Sequence, residues 1–152
     1  MNYADTGFIV SLYLAETTSS AAEKEAAAMK EPLALIPLSQ LEIRNAFNRA
    51  VNQGRITLAQ RDAYFQVVES GWESGLFVET PIPAAELHAK ARELSDRYTP
   101  TLATRSLDLL HVAAAVLLGA KVFYSFDERQ RKAAAGEGLK VKPLSFPSGG
   151  VR

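Results

Sequence analysis

Apolar residues follow two different spacings along the chain, which predict short strands and amphipathic helices in alternation. Short apolar runs predict strands at residues 2–5, 33–37, 76–79, 121–125 and 139–142. Apolar residues that return every three or four positions predict helices at residues 8–14, 19–30, 41–50, 58–72, 83–98, 107–118 and 128–135, with a loop at 99–101. Strands alternating with helices across short connections predict an α/β fold, a three-layer α/β/α domain with a mostly parallel central sheet.

Length and composition predict one folded domain. The chain has 152 residues, of which 47% are hydrophobic and 22% charged, a balance typical of a globular protein and not of a disordered segment. No internal repeat and no linker divides it. We therefore expect a single domain over residues 1–145, followed by a flexible C-terminal tail at residues 146–152.

Charge and cysteine content exclude several classes of protein. Lys plus Arg and Asp plus Glu each number 17, so a nucleic-acid binder that relies on bulk positive charge is not expected, although a local basic patch remains open. The chain has no cysteine, which excludes disulfides, thiolate zinc sites and cysteine nucleophiles. The N-terminus has no basic segment of a signal peptide, and residues 109–120 fall short of the roughly 20 apolar residues that a membrane span needs. We expect a cytoplasmic protein with no membrane association.

Four acids stand where a predicted strand ends or a predicted helix begins, namely Asp5, Glu42, Asp108 and Asp127. Each has a purely structural interpretation as a helix cap. Asp5 follows the first strand, where it can cap the next helix, and Asp108 lies two residues after Ser106, a candidate N-cap. Residues 39–42 and 127–130 both have the pattern of a capping box.

Their common place in the fold suggests a second interpretation. In a parallel α/β sheet the strand-to-helix turns lie at the carboxyl edge, where such folds bind ligands. Two carboxylates about 4 Å apart repel by about 4 kcal/mol at an effective dielectric constant near 20. A hard divalent cation relieves such repulsion, and an all-carboxylate site favours Mg²⁺ or Mn²⁺ over zinc or copper. A metal held in this way predicts phosphate chemistry without a nucleophilic side chain.

Four sequence motifs resemble those of the PIN-domain ribonucleases, in the order of that family. They are DTGFIV at residues 5–10, LEIRNAF at 41–47, RSLDLLHVAAA at 105–115 and FYSFDER at 123–129. In size and layout the chain is most similar to the VapC-type toxins of toxin–antitoxin pairs. Gly7 departs from the family pattern, in which serine is frequent at this position, and almost no residues precede Asp5 in the first strand.

The resemblance implies an endoribonuclease that uses Mg²⁺, or Mn²⁺ in its place, to hydrolyse RNA phosphodiester bonds. It implies that four acids form the metal site, and that Thr6 and Ser125 support this site through their hydroxyl groups. It further implies a homodimer and a cognate antitoxin protein that blocks the cleft. The catalytic and metal-binding acids implied are Asp5, Glu42, Asp108 and Asp127.

Basic residues near the acids are candidates for phosphate contact, because guanidinium groups match phosphate oxygens. Arg44 and Arg105 flank acids directly and Arg49 follows on the same helix as Arg44, but ion pairing with Glu42 or Asp108 remains an equal alternative for them. His111, three residues after Asp108, is expected to be a packed histidine and not a catalytic one.

Other functions remain open. The triplet at residues 5–7 also occurs in aspartic proteases, but those proteins are all-β, and here the triplet runs into a predicted helix. A receiver domain is disfavoured because the order of its acids differs. Two alternatives stay in place: a PIN-fold module that binds RNA or protein without cleaving, and an RNA-processing nuclease that has no antitoxin.

Overall fold

The computed structural model describes residues 1–147, which form a parallel sheet flanked by helices. Its strands are β1 (Asn2–Ala4), β2 (Leu33–Leu35), β3 (Phe77–Glu79), β4 (Val122–Tyr124) and β5 (Lys140–Lys142). Its helices are α1 (Thr6–Val10), α2 (Ser19–Ala28), α3 (Pro37–Asn52), α4 (Leu58–Glu73), α5 (Ala84–Leu102), α6 (Ser106–Leu117) and α7 (Glu128–Gly136). Each predicted strand and helix is present, with boundaries shifted by a few residues.

The five strands are all parallel and lie in the order β3-β2-β1-β4-β5. Asn2 of β1 pairs with Leu33 of β2 on one side and with Val122 of β4 on the other. The chain builds the sheet outward from β1 in one direction and then returns to add β4 and β5 on the opposite side. The carboxyl ends of β1 and β4 therefore border the point where strand order reverses, the usual binding crevice of such sheets.

Alternate strand residues point to opposite faces of the sheet, and each face has its own hydrophobic core. Ala4 faces a core shared with helices α1 to α4, whereas the neighbouring Tyr3 faces a second core shared with α5, α6 and α7. Tyr124 and Phe123 of β4 divide between the two cores in the same way. This arrangement confirms the predicted α/β/α fold with a parallel central sheet.

Some local predictions were wrong. Ser106, the expected N-cap of α6, is instead the first residue of that helix, and Arg105 occupies the N-cap position. The loop expected at residues 99–101 is the last turn of α5, which continues through Pro100 and ends at Ala103 in a left-handed conformation (φ 51°). Pro100 removes one backbone hydrogen bond of α5, whereas Leu102, two residues later, packs against the second core and favours the helical turn. The capping box expected at residues 39–42 does not form, because Pro37 already begins α3 and Ser39 is buried within its first turn.

The predicted flexible tail falls largely outside the described residues, since 148–152 are not part of them. Within the described part of that segment, the Phe146 ring packs edge-on against Phe126, with ring centroids 5.0 Å apart. Across residues 1–147 no helix is long and apolar enough to cross a membrane.

Candidate active site

A cleft of about 880 Å³ opens at the carboxyl edge of the sheet, beside the ends of β1 and β4. Side chains from α1, α3, α6 and α7 and from the loops before them line it. The four acids that the sequence singles out all contribute to this lining: Asp5, Glu42, Asp108 and Asp127. Segments separated by more than 120 residues of chain thus meet in one cleft because β1 and β4 are neighbours.

Asp5 combines its expected capping role with a buried position in the cleft. Its Oδ1 accepts a hydrogen bond from the Phe8 backbone N–H (2.7 Å), and its Oδ2 accepts one from the Ser125 hydroxyl (2.6 Å). The residue is only 3% exposed. Burial raises the pKa of Asp5 to about 6, even though these two hydrogen bonds act in the opposite direction.

Ser125 connects Asp5 to Asp127. Its hydroxyl donates to Asp5 and accepts a hydrogen bond from the Asp127 backbone N–H (3.0 Å), so it fixes the turn that follows β4. Asp127 in turn caps α7, since its Oδ1 accepts from the backbone N–H groups of Arg129 and Gln130 (2.8 and 3.0 Å). The Ser125 hydroxyl therefore links the carboxylate of Asp5 to the backbone of Asp127, whose own carboxylate is held by the start of α7.

Glu42 lies in the second turn of α3 and is held by two donors from other elements. Its Oε2 accepts from the Thr6 hydroxyl (2.7 Å) and lies 2.6 Å from Nε2 of His111. Nδ1 of His111 faces the Tyr3 hydroxyl at 2.9 Å. Burial acts to raise the pKa of Glu42, but the hydrogen bonds from His111 and Thr6 and the His111 charge lower it overall.

Asp108 has one satisfied and one unsatisfied oxygen. Its Oδ1 accepts from Nε2 of Gln130 (3.2 Å), whereas its Oδ2 is buried and has no hydrogen-bond partner among residues 1–147. Oε1 of Gln130 is likewise buried and unpartnered. Burial, and then the charge of Asp127, raise the pKa of Asp108. An unpaired buried carboxylate oxygen is costly, which marks this position as one that a ligand can satisfy.

Two residues of the site were missed by sequence reasoning. His111 is buried as expected for a packed histidine, but it bonds Glu42 directly, and Gln130 bonds Asp108 instead of closing a capping box with Asp127. A sequence signal existed for His111, because residues three apart share a helix face and Asp108 lies three positions before it. No comparable signal marks Gln130.

The predicted phosphate-binding arginines separate in the structure. Arg105 lines the cleft together with Arg49 and Arg55. Arg44 lies elsewhere, with its guanidinium carbon 4.7 Å from the centroid of the Phe65 ring. Arg44 lies two positions after Glu42, which corresponds to a rotation of about 200° around the helix and directs its side chain away from the cleft.

The donor chemistry of the cleft fits a hard divalent cation, since four carboxylates and no thiolate are present and one buried carboxylate oxygen is unsatisfied. Within residues 1–147, however, no three His, Cys, Asp or Glu side chains are grouped closely enough to hold an ion. The carboxylates are instead held by protein donors such as Ser125, Thr6 and Gln130. The residue types thus suit a metal, and the side chains are arranged around protein hydrogen bonds.

Comparison with protein families identifies one match. The model of the family described as the PIN domain matches residues 3–136, which include all four acids of the cleft. A search of curated protein sequences returns no significant match.

Several solved structures share the fold at low sequence identity. The toxin VapC20 of Mycobacterium tuberculosis, described as cleaving the sarcin–ricin loop, is 18% identical with a TM-score of 0.69 and matches 94% of this chain and 100% of its own. A toxin–antitoxin complex from Klebsiella pneumoniae is 12% identical with a TM-score of 0.66, and the match covers 96% of this chain and 99% of that chain. The FitAcB structure from Neisseria gonorrhoeae is 13% identical with a TM-score of 0.65, and the match covers 93% of this chain and 96% of that chain.

Proposed function

The chain belongs to the PIN domain family, and from this premise we propose that it is a metal-dependent endoribonuclease, the toxin of a toxin–antitoxin pair. The observation that carries the proposal is the meeting of four acids from four separate segments in one cleft, where strand order reverses. Two of the structures with the same fold are described as an RNA-loop-cleaving toxin and a toxin–antitoxin complex, which supports the toxin assignment.

In this proposal the cleft holds Mg²⁺, or Mn²⁺ in its place, through the carboxylates of Asp5, Glu42, Asp108 and Asp127. When bound, the ion supplies Lewis-acid activation of water and stabilises developing negative charge on the phosphate. The Oδ2 of Asp108, which is buried without a hydrogen-bond partner among the described residues, is an oxygen whose missing interaction the ion would supply. The protein's own contribution is to fix the remaining carboxylates before the ion binds.

Hydroxyl and imidazole groups provide this fixation. Ser125 holds Asp5, and Thr6 and His111 together hold one oxygen of Glu42, which leaves the other Glu42 oxygen free to turn toward the cleft. Ligands that are held by further hydrogen bonds keep their orientation, and loss of such partners typically costs about 10- to 100-fold in affinity or activity. Thr6, Ser125 and His111 are therefore proposed as positioning residues.

Arg105 is proposed as a contact to the RNA backbone. It lines the cleft and its guanidinium forms no ion pair within residues 1–147. Arg49 lines the same cleft and is likewise unpaired across the described residues. Arg55 instead pairs with Glu16 at 3.3 Å. Arg44 is not included, because it lies over Phe65 outside the cleft.

Cleavage explains the acids better than binding alone. A module that only grips RNA gains nothing from anionic side chains in its binding cleft, since they repel phosphates. Burial of Asp5 and Asp108 also costs stability, as their raised pKa values indicate. Such a cost is typical of catalytic sites, which place groups for chemistry and not for stability.

A cleavage assay tests the proposal. Purified wild type is incubated with a mixed tRNA and rRNA pool in Mg²⁺, in Mn²⁺ and in EDTA, beside Asp108→Asn. The matched control is Asp96→Asn, which changes an exposed aspartate on α5. We expect metal-dependent cleavage by wild type and by Asp96→Asn, and none by Asp108→Asn. Cleavage that persists in EDTA or in Asp108→Asn contradicts the proposal, and RNA binding without cleavage favours the module.

The proposed partners are a cognate antitoxin and a second copy of the chain. Light scattering on the purified chain should give twice its 16.5 kDa mass. Co-expression with the product of an adjacent short gene that encodes a DNA-binding fold should yield a complex with little RNA cleavage. Full cleavage by such a complex, or a lack of any such gene, supports the RNA-processing nuclease instead.

A further inference from the structure

Two phenylalanines form the aromatic part of an otherwise polar cleft. Phe126 and Phe146 are half-buried and line it beside Asp127, whereas the remaining lining residues are charged, hydroxyl-bearing, amide, histidine, glycine or alanine side chains. Phe126 packs against the first core, yet both rings remain partly exposed and line a charged cleft. Their place in the cleft suggests a ligand with an apolar face.

Both rings are held rigidly from behind. Phe126 lies nearly parallel to the fully buried Phe8, with centroids 5.6 Å apart and an angle of 21° between the rings. Phe146 meets Phe126 edge-on at 5.0 Å and 73°. The Arg131 guanidinium supports the Phe146 ring at 4.8 Å from its centroid. The two rings thus form one packed aromatic surface in the cleft.

Arg131 also explains how the segment after β5 reaches the cleft. Its guanidinium donates to the Ser125 carbonyl (2.8 Å) and to the Pro143 carbonyl (2.9 Å) while it covers the Phe146 ring. One side chain therefore joins the turn after β4 to the turn after β5. This linkage fixes Phe146 at the same edge of the sheet as Asp127.

We infer that Phe126 and Phe146 form a stacking wall that takes a nucleobase of single-stranded RNA next to the phosphate positioned for cleavage. The inference rests on the proposed ribonuclease function. Aromatic rings stack on every base, because each base has a π-face. The guanidinium groups of Arg49 and Arg105, which form no ion pair within residues 1–147, lie in the same cleft and suit the adjoining phosphates. Apolar ring surface and free positive charge in one cleft match a nucleotide.

Direct binding measurements in EDTA test the wall without cleavage. The probe is a fluorescein-labelled single-stranded oligouridylate, compared with the same strand carrying abasic residues at its centre. We expect wild type to bind the abasic strand roughly tenfold more weakly, as the loss of about one stacked base predicts. Phe146→Leu and Phe126→Leu should bind the intact strand about as weakly as wild type binds the abasic strand. In these variants the difference in affinity between the two strands should nearly vanish.

Two further variants make the result specific. Phe146→Trp keeps an aromatic face and should retain the abasic penalty, and Leu144→Ala changes a 79% exposed apolar residue that does not line the cleft and should behave as wild type. Melting curves confirm that each variant is folded. An abasic penalty that persists in both leucine variants overturns the wall alone. Wild type that binds neither strand also overturns the wall, whereas the proposed function is decided separately by the cleavage assay with Mg²⁺ and Mn²⁺. If the leucine variants lose binding to the antitoxin but bind RNA as wild type does, the stacking wall is also overturned.

Discussion

Nε2 of His111 lies 2.6 Å from Oε2 of Glu42, in a contact between α6 and α3 that spans 69 residues of chain. Because a carboxylate only accepts hydrogen bonds, the proton of this contact belongs to His111. Nδ1 then faces the hydroxyl of Tyr3, a fully buried residue of the central strand. Burial raises the pKa of Tyr3, so this hydroxyl keeps its proton. The orientation of Glu42 is thus set from the core of the sheet.

Tyr3→Phe removes the member of this hydrogen-bonded chain that lies deepest in the core. Nδ1 of His111 then loses its partner in a buried position, which should lower the free energy of unfolding by roughly 1–3 kcal/mol. In the proposed mechanism kcat for RNA cleavage should fall severalfold while KM stays near wild type, because Tyr3 does not line the cleft.

Tyr64→Phe is the matched control, since the Tyr64 hydroxyl forms no hydrogen bond within residues 1–147. Denaturant melts give the free energy of unfolding of both variants, and steady-state kinetics give their kcat and KM. A Tyr3→Phe protein that is destabilised and yet cleaves at the wild-type rate would show that the chain to Glu42 serves stability alone.

Ser125→Ala removes the hydroxyl that joins Asp5 to the turn after β4. The Ser125 hydrogen bond lowers the pKa of Asp5, so its loss should raise that pKa further above about 6. The Asp127 backbone N–H also loses its acceptor. We expect the free energy of unfolding to fall by roughly 1–3 kcal/mol and cleavage at neutral pH to drop about 10- to 100-fold.

The comparison variant for Ser125→Ala is Ser95→Ala, which removes a half-buried hydroxyl bonded to Thr99 on α5, away from the cleft. It should lose stability without a comparable loss of cleavage. Equal cleavage by the two variants would leave Ser125 with no part in positioning Asp5.

Asp5→Asn should stabilise the metal-free protein, and more so at higher pH. The folded-state pKa of Asp5 is about 6 against an ordinary value of 3.8, so the folded protein binds the proton more tightly than the unfolded chain. Stability from this group is therefore present below pH 3.8 and is lost as the pH rises through about 6. At neutral pH the ionised carboxylate costs at most about 3 kcal/mol, which asparagine avoids.

Urea melts in EDTA at about pH 4 and about pH 7.5 measure this difference. The difference in free energy of unfolding between Asp5→Asn and wild type should increase from the lower to the higher pH. The corresponding difference for Asp96→Asn should stay small at both. A relative stability of Asp5→Asn that is the same at both pH values would mean that ionised Asp5 carries no burial penalty.

The fold was accessible from the sequence because each element has its own apolar spacing and because β-α alternation permits few topologies. The extension of α5 past Tyr98 could not be predicted, since the local rule for proline points to a loop and the packing of Leu102 against the second core overrides it. The start of α3 was missed for a similar reason. Pro37 is a favoured first residue of a helix, but it follows an apolar run that continues the strand pattern.

The meeting of the four acids in one cleft could be predicted from the sequence, because they lie at or near turns between strands and helices, and parallel strands bring those turns to one edge. The bond between Tyr3 and His111 was not found, because it joins residues 108 positions apart and depends on side-chain orientation. The same is true of Gln130, whose amide reaches Asp108 on α6 and not its own helix. Spacing predicts which backbone positions meet, and only packing determines which side chains bond.

The most direct test of the central claim, that the four acids hold a divalent cation, is a Mn²⁺ titration followed by thermal unfolding of metal-free protein. An ion that binds only the folded state adds about 2.7 kcal/mol at a concentration 100 times its Kd. We predict that Mn²⁺ raises the Tm of wild type and of Asp96→Asn by several degrees and leaves Asp108→Asn nearly unchanged. An equal rise in Asp108→Asn, or no rise in wild type, would contradict the claim.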